Sequence, residues 1–68
     1  MDIKKKFGEN LKRLRLEKRI SQESLASIAD IKRTYISSIE KGERNVSITV
    51  LEKLAKTLQA DISDFFKD

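Results

Sequence analysis

Between Gln22 and Asn45 the chain sets out side chains suited to gripping a polyanion and reading its edges: Gln22, Arg33, Thr34, Tyr35, Ser37, Ser38, Lys41, Arg44 and Asn45. An Arg guanidinium can pair with guanine through two hydrogen bonds, and a Thr methyl can pack on the thymine methyl while its hydroxyl bonds elsewhere. On a 100° wheel Ile36 and Ile39 share one face, leaving Thr34, Ser37, Ser38 and Lys41 on the other. Arg33 opens this segment, the end from which a recognition helix reaches base edges. Gln22 opens the preceding segment, where free backbone N–H groups and a side-chain amide can bond a phosphate together. Tyr35 lies at the border of the two faces. It serves either as a core aromatic with its hydroxyl at the surface or as a contact to the nucleic-acid backbone.

Helical elements must position these groups. Ile3, Phe7, Leu11 and Leu14 recur at intervals of four, four and three, predicting a first helix over about residues 3–18. Ser21 is a natural N-cap for a second helix, with Glu23 near its positive end and Leu25, Ile28 and Ala29 as its apolar stripe. A third helix spans about Arg33–Lys41, closed by Gly42. Ser47 caps a fourth, with Leu51, Leu54, Ala55 and Leu58 apolar, and Ser63 caps a last short turn carrying Phe65 and Phe66. The expected architecture is all-α, a compact five-helix bundle in one domain over residues 1–68.

Counted from Gln22 to Lys41, the spacing is that of a helix-turn-helix. Its fifth position is Ala26, where crossing helices need a small side chain. Ala29, Ile31, Ile36 and Ile39 supply the apolar wedge. The sharp turn falls on Asp30, which tolerates positive φ better than most residues although Gly is usual there.

Charge supports the same side of the molecule. The net charge is +4, and residues 1–19 and 32–45 hold twelve of the fifteen basic residues. Neutralising phosphates with release of counterions drives nucleic-acid affinity. The Lys4-Lys5-Lys6 run reads as a solvated helix start. No Cys and no His are present, so disulfides, thiol catalysis and the usual zinc sites are excluded. Nothing resembles a nucleophile–base pair, a Gly-rich phosphate loop or a carboxylate cluster, so no enzyme, metal or cofactor is expected. Without an apolar run of about 18 residues or a signal-peptide core, the reading is cytoplasmic with no membrane partner.

SQESLA, the YIS-x-IE-x-G run and the amphipathic helix after it resemble the Cro/C1-type (Xre) helix-turn-helix family, whose fold is the lambda-repressor-like DNA-binding domain. Within it, RTYISSIEKGERNVS is similar to restriction–modification controller proteins, small dimeric regulators that bind operators ahead of their own gene. The resemblance implies sequence-specific binding of double-stranded DNA in the major groove by Arg33, Thr34 and Ser37, with Gln22, Arg44 and Asn45 near phosphates. It also implies an ion pair between Arg15 and Glu40, a structural rather than a recognition feature. RNA polymerase is a candidate further partner, and no small-molecule ligand is expected. The alternative class is an antitoxin-type interaction module that also represses its own operon.

Self-association is expected of the C-terminal third. Val50, Leu54, Ile62, Phe65 and Phe66 are more apolar residues than so small a domain readily hides, since about 40% of its extended-chain surface stays exposed. Two adjacent aromatics on one short turn cannot both point inward. Ile62 and at least one of Phe65 and Phe66 are therefore expected at a homodimer interface.

Overall fold

Three of the four α-helices start where a short polar side chain takes up the first unpaired backbone N–H groups. The structure, a computed structural model, describes residues 2–68. Helix α1 (Ile3–Glu17) begins at Asp2, whose carboxylate accepts from the N–H groups of Lys4 and Lys5. Helix α2 (Gln22–Ala29) begins at Ser21, whose hydroxyl accepts from the N–H of Ser24 at 3.0 Å. Helix α3 spans Arg33–Glu40, and helix α4 spans Ile48–Leu58 behind Ser47, whose hydroxyl accepts from Val50 at 3.1 Å. The fifth element is a 3-10 turn, Ile62–Phe66, rather than an α-helix. Its cap is Asp61 and not Ser63: the Asp64 carboxylate accepts from the Asp61 N–H at 3.0 Å, which places Ser63 inside the turn.

The core is built from the inward stripes of all five elements. Leu11, Leu25, Ile36, Leu54 and Phe65 are wholly enclosed, with Phe7, Leu14, Ile39 and Leu58 around them. Two expected core positions fall outside. Ile3, in the first turn of α1, borders an open surface pocket with Phe7, Val46, Leu51 and Phe66 and is half exposed. Ile28 is 66% exposed because Leu25 and Ala29 suffice to seat so short a helix.

The crossing of α1 over α3 depends on a missing side chain. A Cβ on Gly8 would lie 2.2 Å from the carbonyl oxygen of Ile39 and 3.0 Å from that of Glu40. Any larger residue would push α1 off the C-terminal end of α3. Gly42 follows α3 at φ +77°, ends it, and brings the chain against Lys5. The turn between α2 and α3 runs through Asp30 at φ 58°, and the Ile31 N–H donates back to the Ala26 carbonyl at 2.9 Å. A non-glycine residue in this region costs of order 1 kcal/mol. Asp bears that strain while Ala26 and Ala29, both buried, let the two helices close.

Candidate nucleic-acid interface

The inward pair Ile36 and Ile39 roots α3, so its opposite face is turned to solvent. Arg33 and Thr34 are exposed at its start and Lys41 at its end. Lys32 precedes α3 without a side-chain cap, and no acidic residue occupies the first turn. The positive end of the helix is therefore left unneutralised where Lys32 and Arg33 stand, which favours an incoming anion. Among the described residues no carboxylate forms an ion pair with Lys32, Arg33 or Lys41. Lys32 was not singled out by sequence, although its place beside Arg33 is visible there.

Ser37 and Ser38 are less open than the wheel implies, both being half-buried. Ser38 donates its hydroxyl to the Thr34 carbonyl at 2.9 Å, one turn back along α3. Arg33 and Thr34 thus form the exposed part of the strip, with Ser37 and Ser38 partly enclosed beside them.

The loop after α3 carries Arg44 and Asn45, both exposed. The Arg44 guanidinium lies 4.8 Å from the Tyr35 ring centroid, in cation–π range. Tyr35 is half-buried against the core, and its hydroxyl reaches the Asn45 carbonyl at a long 3.5 Å. Tyr35 therefore packs on the core with its hydroxyl at the surface, the first of its two expected roles, and supports the loop after α3.

Behind α3 lies a charged network. Arg15 donates from Nε to Glu40 at 2.7 Å and from Nη2 at 3.0 Å, a two-point pair with the side chains 10% and 6% exposed. Its Nη1 donates to the Ile20 carbonyl at 2.9 Å. The hydrogen bond to Glu40 raises the Arg15 pKa above its ordinary value against the opposing cost of burial, with the Glu40 charge adding to the rise. The pair ties α1 to the last residue of α3 and so sets the tilt of the exposed strip.

Gln22 joins this network instead of standing clear of it. It is half-buried, and its amide nitrogen donates to Glu40 Oε1 at 3.0 Å. A carboxylate oxygen is a stronger acceptor than water, so the amide turns inward. One amide hydrogen is used there, which leaves the second amide hydrogen and the side-chain oxygen for other contacts.

The C-terminal set divides. Leu54 and Phe65 are 0% exposed and belong to the monomer core, so neither can form an interface. Phe65 stacks on Phe7 with centroids 4.9 Å apart, which explains which neighbouring aromatic went inward. Ile62 and Phe66 remain 53% and 40% exposed, and Val50 is half-buried. Sequence reasoning missed Ile48, 85% exposed at the start of α4, and also missed Asn10. The signal for Asn10 was an amide within the Phe7–Leu14 stripe, where a polar residue needs a partner.

Comparison with known proteins gives one consistent answer. The helix-turn-helix family model matches residues 11–65. The control protein C.MunI of a Mycoplasma species is 53% identical over 68 residues, covering 98% of this chain and 92% of that protein. The control protein C.BamHI of Bacillus amyloliquefaciens is 46% identical over 68 residues, covering 94% and 84%. The crystal structure of the restriction-modification controller protein C.AhdI from Aeromonas hydrophila superposes with a TM-score of 0.89 at 40% identity, covering 93% of this chain and 96% of that one.

Proposed function

Since the chain belongs to the helix-turn-helix family of DNA-binding transcription regulators, alongside restriction–modification control proteins and not among enzymes, we propose that α3 is its recognition helix and that it works as a homodimer on a two-fold operator. The observation that carries this reading is the uncapped, exposed start of α3, with Arg33 and Thr34 outward and the helix tied from behind by Arg15 and Glu40. Arg33 pairs with a guanine in the major groove and Thr34 packs on a neighbouring base, with Ser37 alongside. Lys41, Arg44 and Asn45 hold the phosphate backbone and fix register without reading sequence. Gln22 adds a phosphate contact through its second amide hydrogen while Glu40 keeps the first.

Two recognition helices must lie about 34–36 Å apart to meet successive major grooves on one face of the duplex. Ile62, Phe66 and Val50 supply the apolar surface for that pairing. RNA polymerase is the partner through which a bound dimer acts on its promoter, and the setting is the cytoplasm.

The test is a footprint and binding-site selection with the purified protein on the DNA upstream of its own gene. A protected two-fold site with half-sites one helical turn apart is expected. Uniform binding at all sequences, lost equally with salt, would overturn the reading.

A further inference from the structure

Helix α1 holds the C-terminal turn by its backbone as well as by its side chains. Asn10 is 6% exposed, and its amide nitrogen donates to the carbonyls of Phe65 at 3.0 Å and Lys67 at 2.8 Å. The Lys6 carbonyl, within the same helix, lies 3.1 Å from that nitrogen. An amide has two hydrogens, so three acceptors share them. One turn on, Arg13 donates to the Asp64 carbonyl at 3.1 Å and to the Asn10 side-chain oxygen at 3.0 Å. The second bond settles which way the Asn10 amide faces. Lys6 pairs with Asp68 at the far end of the same segment.

Apolar contact alone would leave this turn loosely oriented. Five residues of 3-10 helix have weak internal geometry, and a segment so short has no stability of its own. Phe65 anchors it against Phe7, while Phe66 meets the same ring edge-on at 5.6 Å. A buried ring resists withdrawal better than it resists rotation about its own axis. Hydrogen bonds are directional, and those to Asp64, Phe65 and Lys67 remove the rotation. What they orient is the outward pair, Ile62 and Phe66.

We infer that Asn10 and Arg13 are positioning residues for self-association, holding Ile62 and Phe66 in the orientation in which two copies meet. The inference rests on the proposed dimer. In a two-fold contact each patch meets its own copy, so an error in the angle of the turn enters twice. A residue that fixes the angle therefore acts on the dimer more strongly than on the monomer.

The experiment compares dimer dissociation constants by sedimentation with amide exchange across the chain, for Arg13→Ala, Arg13→Lys, Asn10→Leu and Phe66→Asp. Arg13 is exposed, so its variants fold whether or not Asn10→Leu does. Arg13→Ala should weaken the dimer about tenfold, and Asn10→Leu by more, with protection lost over residues 61–68 and kept in α1 to α4. Arg13→Lys retains a donor and should recover all but about threefold. If Phe66→Asp is monomeric while Arg13→Ala and any folded Asn10→Leu dimerise with the parental constant, the positioning role is wrong and the interface stands. If Phe66→Asp dimerises as the parent does, the interface reading fails, and the positioning role with it. Equal loss of protection throughout the chain would make the two residues plain stabilisers and also overturn the inference.

Discussion

Removing Glu40 tests whether α3 is held from behind. In Glu40→Ala the Arg15 guanidinium keeps its bond to the Ile20 carbonyl and loses both bonds to a carboxylate, while Gln22 loses its partner. With side chains 10% and 6% exposed, neither Arg15 nor its surroundings regain much water. Unpairing a buried charge in this way costs about 3–5 kcal/mol. A Coulomb estimate of about 4 kcal/mol for unit charges ~4 Å apart at an effective dielectric constant of about 20 agrees. A domain of 68 residues has about 3–10 kcal/mol of stability in all. The melting temperature should fall by some 12–40 °C, from about 4–8 °C for each kcal/mol. The assay is thermal unfolding by circular dichroism on Glu40→Ala, Glu40→Leu, Arg15→Leu and the double variant Arg15→Leu/Glu40→Leu, whose two leucine singles close the cycle. The double should recover most of the loss, because apolar replacement of both partners removes the stranded charge. A Glu40→Ala protein melting within about 3 °C of the parent would refute the reasoning. So would a double variant whose loss equals the sum of the singles, since that means no coupling.

Four further outcomes are expected. Arg33→Ala should cost about 1–3 kcal/mol on the operator and relax preference at one base pair of each half-site, read by binding-site selection; an unchanged motif excludes that role. Arg44→Ala, which also leaves Tyr35 without its stacked cation, should weaken all sequences alike and reduce the salt slope by about one unit in a titration of affinity against salt. Phe66→Asp should give a folded monomer, whereas Phe65→Asp should unfold because its ring is 0% exposed; sedimentation and circular dichroism separate the two. The hydrogen bond from Lys67, with that from the Asp61 N–H, holds the Asp64 carboxyl below its ordinary 3.8, and Lys6 does the same for Asp68. Both values are depressed in the folded chain, so the stabilisation is present above 3.8 and lost as pH falls below it. Amide exchange should show the C-terminal turn opening before α1 and α4 as acid is added.

The local half of this structure was legible in the order of residues. Ser21 and Ser47 cap the helices they precede, and Gly42 ends α3 with positive φ. Asp30 takes the sharp turn in the left-handed region, and Ile36 with Ile39 roots α3 in the core. Such features depend on neighbours three or four positions away, which is why periodicity and capping chemistry reveal them. The helix-turn-helix spacing belongs to the same class, and it carried the functional reading.

Tertiary contact decided the rest. Nothing near Phe65 and Phe66 says which ring goes inward; the Phe7 ring, 58 and 59 positions away, selects Phe65. Leu54 and Ile28 carry similar apolar side chains on amphipathic helices, yet one is enclosed and the other 66% exposed, because only one has an element over it. Gln22 turned from solvent to Glu40, and Asn10 found the carbonyls of a turn 55 positions on. Gly8 reads as a weak point in a helix until the carbonyl of Ile39 is seen where its Cβ would be. Each outcome depends on which surfaces meet after the helices form. A burial preference or a hydrogen-bond donor specifies that a partner is needed, and only the packed chain determines which one is within reach.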